Sequence, residues 1–203
     1  MVATCGGRFL CIFHLRTGDL RLKYEHDEEN LNFYGLAWTS LEMGNILATC
    51  SNTGEVRLFH PEREISFHSW SCPPQPPNKK SVSINAVQFH SKEATWLFTA
   101  SKVSRVQSSG LVNLGCRQDG VICLWDFGNP APPNYSNVTN HLLLKLNYRR
   151  ANKNLYTMAW AGDKGTGWIM VGTEDGLMGW RISSSKVKEV KFPKINPKMV
   201  ELK

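Results

Sequence analysis

The chain repeats itself, and the repeat leaves few folds open. Three segments share one outline. The first runs Tyr34-Gly-Leu-Ala-Trp38, then Ile46-Leu-Ala-Thr-Cys-Ser51, then Gly54-Glu-Val-Arg-Leu-Phe59. The second runs Asn85-Ala-Val-Gln-Phe89, Leu97-Phe-Thr-Ala-Ser101 and Asp119-Gly-Val-Ile-Cys-Leu-Trp125-Asp126. The third runs Tyr156-Thr-Met-Ala-Trp160, Ile169-Met-Val-Gly-Thr173 and Asp175-Gly-Leu-Met-Gly-Trp180-Arg181. Each reads as a strand ending on an aromatic residue, a polar turn, and a strand of small and β-branched residues. A tight turn with Gly follows, then a strand that closes on Phe or Trp. Gly54, Gly120 and Gly176 fall where a two-residue hairpin needs positive φ. The aromatic interval is 21 residues from Trp38 to Phe59 and 20 from Trp160 to Trp180. A partial copy opens the chain with Val2-Ala-Thr-Cys5, Gly6-Gly7 and Leu10-Cys-Ile-Phe13, then Leu20-Arg-Leu-Lys-Tyr24 as an outer strand.

Repeats of about 40–45 residues with four strands, one closing on Trp-Asp, are the mark of WD40 blades, which these segments resemble. Leu124-Trp125-Asp126 keeps the signature, whereas Phe59-His60 and Trp180-Arg181 depart from it and no Gly-His pair is present. The expected fold is all-β, a partial WD40-type β-propeller of about three and a half four-stranded blades spanning residues 1–183. Trp38, Trp125, Trp160 and Trp180 recur periodically and are expected in its core. A closed ring of seven blades needs roughly 280 residues, so either blades are missing at both ends or partners close the ring. Its open sheet edges would invite aggregation.

Two stretches break the repeat. Residues 102–115 have no counterpart in the sister copies, and removing about 15 residues there restores the 21-residue interval. The segment reads either as a surface loop grafted between two strands or as translated non-coding sequence. Cys72-Pro-Pro-Gln-Pro-Pro-Asn-Lys-Lys80 reads as an extended connector, with recognition by a proline-reading domain as the alternative.

Composition narrows the class. With 41% hydrophobic and 20% charged residues over 203 positions, the chain holds enough apolar material for one domain with a real core. The start shows no basic leader, and runs such as Leu142-Leu-Leu144 are far below the roughly 18 residues that span a bilayer, so a cytosolic or nuclear protein is expected. Six cysteines at 5, 11, 50, 72, 116 and 123 include no CxxC pair and no nearby His pair, which argues against zinc and for reduced thiols used as small apolar residues. Asn134-Tyr-Ser136 and Asn137-Val-Thr139 match the glycosylation pattern, but nothing else suggests secretion. No phosphate-binding loop, HExxH, GxSxG or paired carboxylates appear, and the six histidines are scattered, so no catalytic residue, metal or cofactor is expected.

The net charge of +7 is partly local. Residues 184–203 form a Lys-rich tail, or the start of another blade, with Lys186, Lys188, Lys191, Lys194, Lys198 and Lys203. Such a tail is either solvated and weakly ordered or a weak contact for nucleic acid or a nucleosome surface.

A finer resemblance lies in particular phrases. Val2-Ala-Thr4 with Gly6-Gly7, Lys23-Tyr24, Asn32-Phe33-Tyr34 and Ala37-Trp38-Thr39 form one run. Phe89-His90, Leu97-Phe-Thr-Ala-Ser101 and Leu124-Trp-Asp-Phe-Gly-Asn-Pro130 form another. Over most of residues 2–182 these resemble the WD domain of the leucine-rich-repeat and WD-repeat family that associates with the origin recognition complex. The Asn-Phe-Tyr and Ala-Trp-Thr stretches also resemble the Polycomb propeller called embryonic ectoderm development. No leucine-rich repeat is present, and early and late blades are absent.

The resemblance implies a nuclear, non-catalytic chromatin scaffold. It would bind methyl-lysine on histone H3 or H4 tails in an aromatic cage at the propeller mouth and stabilise the origin recognition complex on chromatin. A quaternary ammonium loses little hydration and is drawn to aromatic faces, so converging rings suffice to hold it. Tyr34, with Phe33 beside it, matches the cage position of the Polycomb type, and Tyr156 occupies the equivalent place in another blade. Each of these tyrosines also reads as an ordinary rim or packing residue. The first blade's contribution would lie upstream of Met1, leaving such a cage incomplete. The alternatives are a Polycomb-type reader subunit and a general WD40 assembly scaffold that ignores histone marks.

Overall fold

The computed structural model of the chain describes residues 1–42, 44–71, 82–101, 120–128, 141–148, 155–163, 166–173, 176–183 and 186–191. They form four antiparallel sheets in chain order. The first holds β1 (Val2–Gly6), β2 (Phe9–Phe13) and β3 (Leu20–Glu25). The second holds β4 (Phe33–Leu41), β5 (Gly44–Ser51), β6 (Glu55–His60) and β7 (Ile65–Ser71), with a 3-10 turn at Pro61–Arg63. The third holds β8 (Ile84–Phe89), β9 (Trp96–Ser101), β10 (Gly120–Asp126) and β11 (His141–Tyr148). The fourth holds β12 (Leu155–Asp163), β13 (Thr166–Thr173), β14 (Gly176–Ser183) and β15 (Lys186–Lys191). Each is a simple up-and-down meander.

The sheets stand side by side with their first strands together. Strand β4 packs on β8, and β8 on β12. The second strand of each sheet touches the first strand of the next, as β5 does with β8 and β9 with β12. Strand β1 meets β4 in the same way, so the first sheet supplies the second to fourth strands of a blade. Its innermost position is unfilled among the described residues. This radial stacking of meanders is a partial WD40-type propeller.

Both faces of a blade are apolar because each is pressed on a neighbour. Along β5, all six residues from Ile46 to Ser51 are buried. Ile46, Ala48 and Cys50 pack toward the third sheet with Leu97, Cys123 and Trp125, while Leu47 and Phe59 pack toward the first with Leu10 and Ile12. In the third sheet, Phe98, Ala100, Ile122 and Leu124 turn the other way, against Met158, Trp160, Ile169 and Trp180. The period of two that separates these sets is that of a strand.

Polar bonds pin the hairpins between second and third strands. Ser51 Oγ donates to the Glu55 carbonyl (3.3 Å) and accepts from its N–H (3.1 Å). Ser101 makes the same pair with Val121 at 3.1 and 3.0 Å. Thr173 Oγ1 donates to the Gly176 carbonyl (2.9 Å). Residues 102–115 lie within 102–119, outside the described residues, and Ser101 and Val121 are fastened to each other as the ends of the short turns are. Gly54 and Gly176 have φ of 81° and 114°, as a tight turn requires. The connection before Gly54 spans Asn52 to Gly54, however, so it has three residues rather than the expected two.

Trp125, Trp160 and Trp180 are core residues as expected. Trp125 Nε1 donates to Thr99 Oγ1 (3.1 Å) inside the third blade. Register places Val171 where Thr99 stands and Phe59 where Trp125 stands, so the sister blades do not carry both partners of this bond. Trp38 departs from the expectation and is 37% exposed. Its counterpart Trp160 stacks on Phe98 at 5.2 Å, whereas Trp38 borders the first sheet, where no innermost strand is described. Within the stretch 184–203, read from sequence as a Lys-rich tail or the start of another blade, β15 (Lys186–Lys191) pairs with β14 as the outer strand of the fourth blade, and residues 192–203 lie outside the described residues.

Two substitutions probe this packing. Thr99→Val leaves the buried Trp125 indole without its acceptor and is expected to lower unfolding free energy by about 1–3 kcal/mol in urea titrations. Gly167→Ala would put a Cβ into the Trp160 ring and the Ala161 carbonyl, with an expected loss of about 1–3 kcal/mol by the same measurement.

Candidate ligand-binding rim

The first strand of each four-stranded sheet begins the same way. Phe33 pairs with Ser51 and Gly35 with Cys50, so Tyr34 is an extra residue with no partner of its own in the ladder. Ile84 and Ala86 pair with Ser101 and Ala100 around Asn85, and Leu155 and Thr157 pair with Thr173 and Gly172 around Tyr156. These are three bulges at one position of the repeat. A bulge places two residues opposite one and re-aims the side chain at the kink. The residue before each bulge, Phe33, Ile84 or Leu155, is a buried anchor.

Tyr34 and Tyr156 are 53% and 58% exposed at this end of the inner strands. Phe33 is not. It is 3% exposed, with its ring among those of Tyr24 and His26 (each 6.3 Å between centroids). A ring so buried offers no open face to a ligand. The structure therefore brings the two tyrosines to the same end of the propeller and leaves Phe33 in the core. Between them stands β8, carrying Asn85 on its own bulge at the repeat position that the sequence aligns with Tyr34 and Tyr156.

An open hollow of about 510 Å3 lies along the inner strands. Trp38, Gln88 and Tyr156 are among its lining residues. Gly35 lets β4 and β8 approach, since a Cβ there would stand 3.1 Å from Cys50 Sγ and 3.6 Å from the Asn85 carbonyl oxygen. The hollow offers aromatic and amide groups and no described cluster of carboxylates, thiols and imidazoles suited to a metal.

A second hollow of about 560 Å3 opens beside the turn at Thr53, lined by Glu28, Glu55, Arg57 and Trp70 among others. Here Arg57 pairs with Glu55 (2.5 Å) and lies over the Tyr24 ring (5.4 Å to its centroid). His26 Nδ1 accepts the Glu28 N–H (3.0 Å), and its Nε2 faces Glu55 (3.3 Å). Burial pushes the Tyr24 hydroxyl above its ordinary range. The Arg57 cation opposes that rise, and Glu55 and Asp27 add to it. The cation is already matched by its own carboxylate and ring, which makes this cluster a joint between the first two sheets.

Comparison with known proteins points one way. No protein-family model matches the chain. Leucine-rich repeat and WD repeat-containing protein 1 of Xenopus laevis is 28% identical over 194 residues, 91% of this chain and 23% of that protein. The protein of the same name from Mus musculus is 26% identical over 204 residues, 96% of this chain and 27% of its own length. That of Xenopus tropicalis is 32% identical over 138 residues, 64% of this chain and 16% of its own. The chain resembles these WD-repeat proteins. It spans about a quarter or less of their length.

Outside the rim, Cys5, Cys11, Cys50 and Cys123 form no disulfide among the described residues, and Cys50 and Cys123 are fully buried. Burial pushes the Cys5 thiol up, against a hydrogen bond with Thr49. No described helix is long and apolar enough to cross a membrane. His68, in β7, packs on Trp70 (5.3 Å) with Nε2 buried and without a hydrogen-bond partner, and burial holds its pKa below 6.5. The unfolded chain takes up this proton at higher pH than the folded one. Stability is therefore full above about pH 6.5 and falls as pH drops toward the lowered value. His68→Phe is expected to flatten that fall, read from urea midpoints between about pH 7 and pH 5.

Proposed function

We propose that this protein is a non-catalytic chromatin scaffold that reads methylated lysine on histone H3 or H4 tails at the rim carrying Tyr34 and Tyr156. The observation that supports it is the pair of exposed tyrosines on equivalent bulges at one end of the inner strands. A phenol ring attracts a trimethylammonium group by its negative face without requiring a hydrogen bond, and about 0.5–2 kcal/mol follows for each well-placed ring. The similarity to WD-repeat proteins supports a binding module over an enzyme. With it come nuclear localisation, a part in replication licensing or heterochromatin, and the origin recognition complex as partner. The lysines at 194, 198 and 203 would add weak, salt-sensitive attraction to nucleic acid.

Calorimetric titration with trimethylated and unmethylated H3 and H4 tail peptides tests the reading. Methyl-dependent binding is expected, and Tyr34→Ala should weaken it by about 3- to 30-fold while leaving the fold intact. Unchanged affinity in that variant would remove Tyr34 from the site. Binding indifferent to methylation would leave an assembly scaffold whose contacts lie on the sides of the propeller.

A further inference from the structure

We infer that Asn85 is the positioning residue for Tyr156. At the third bulge the register shifts between Leu155 and Thr157, at the peptide unit that begins with the Leu155 carbonyl. That carbonyl lies beside a side chain that is 1% exposed, where water is scarce. Asn85 Nδ2 reaches across from the neighbouring blade and donates to it at 2.9 Å. The amide is held in that orientation from its other side, because Ser83 Oγ donates to Asn85 Oδ1 at 3.2 Å. Leu155 precedes Tyr156 directly, so the bond fixes the peptide unit from which the tyrosine projects.

The residue type follows from the place. Asn85 occupies the bulge at which the second and fourth blades carry Tyr34 and Tyr156. A tyrosine at 85 would have no amide to give the next blade. The third blade therefore gives up an aromatic ring at the rim and supplies the clamp that holds one on its neighbour. Two more bonds tie the same blades: Trp160 N–H to Gln88 Oε1 (3.2 Å) and Ser91 Oγ to the Gly162 carbonyl (3.2 Å). Both lie farther along the strands, whereas the Asn85 bond acts at the rim.

The test labels the five tyrosines with 3-fluorotyrosine and assigns residues 34 and 156 in the fluorine spectrum with Tyr34→Phe and Tyr156→Phe. Asn85→Asp keeps the shape but, when ionised, sets an acceptor against an acceptor. At neutral pH the Tyr156 signal is expected to shift or broaden while the Tyr34 signal holds. On acidification the carboxyl regains a donor, and the Tyr156 signal should return toward that of the unsubstituted protein at the same pH. A purely structural loss would disturb both tyrosines and would not reverse. A Tyr156 signal unchanged in the variant, or one that moves equally with Tyr34, overturns the inference. Should the variant not fold, the unsubstituted protein decides: the Asn85 side-chain amide protons are expected to exchange slowly with solvent, and exchange at the rate of an exposed amide overturns it. Only the consequence for ligand rests on the methyl-lysine reading, with peptide affinity expected to fall about 3- to 10-fold in Asn85→Asp. Absence of methyl preference in the unsubstituted protein would sink that reading while the fluorine result still judges Asn85.

Discussion

In the third sheet, Leu97, Cys123 and Trp125 press on one neighbour while Phe98, Ala100, Ile122 and Leu124 press on the other. Neither face has polar surface for water, and this double burial governs the rest of the molecule. A sheet with one wet face has its register chosen by the hydrophobic pattern, because a one-residue slip would expose the core set. A sheet apolar on both faces loses that discrimination. Register must then be set by groups that cannot be exchanged. Here they are polar: the indole–hydroxyl bond of Trp125 and Thr99, and the hydroxyl staples at Ser51, Ser101 and Thr173. The staples stand directly opposite Phe33, Ile84 and Leu155, the buried anchors that precede the three bulges. The rim is thus the end of the blade where register is decided, and its exposed residues come out of the ladder at points that do not slide.

Much of this was legible in the sequence because the repeat is a covalent record of the packing. The shared outline of strands and turns gave the blades, and the recurring Gly gave the turns at Gly54 and Gly176. What stayed hidden depends on neighbours outside the repeat unit. Phe33 and Tyr34 are adjacent aromatics, and the sequence offers Tyr34 as the cage position with Phe33 as a candidate beside it. Only the shift of register between 33 and 35 separates a buried anchor from an exposed ring. Trp38 and Trp160 occupy one repeat position, yet among the described residues one lacks the covering strand that the other has. The Lys-rich run from 186 to 191 carried charge where strands usually carry apolar residues, and as the outer strand of a blade it needs less apolar cover. The joint of Tyr24, His26, Glu55 and Arg57 joins residues about 30 positions apart and left no local pattern to find.

The three bulges also explain why a repeat protein can carry a site at all. Identical blades would present identical rims. Here the anchor is apolar in every described copy, so the backbone kink is kept, and the residue on the kink is left free to vary. Two copies carry tyrosine and one carries asparagine. On the reading proposed above, function is written at the position whose identity the ladder does not need.

Tyr34 and Tyr156 are not equivalent in support, however similar their exposure. Tyr156 rises from a strand whose neighbour on the third-sheet side is complete: β8 and β9 pack against β12, and Asn85 clamps the peptide before the ring. Tyr34 rises from β4, which has β8 on one side and on the other meets β1, the second strand of a sheet whose innermost place is unfilled among the described residues. There the Phe33 N–H is held by the Gly7 carbonyl (2.8 Å), a backbone bond to the turn after β1, in place of a side-chain clamp from an inner strand. Exposure alone does not make a ring a good ligand for a cation, because a ring that must be ordered on binding gives back part of what the contact supplies. Of the two tyrosines, Tyr156 is the one whose ordering has already been met by folding.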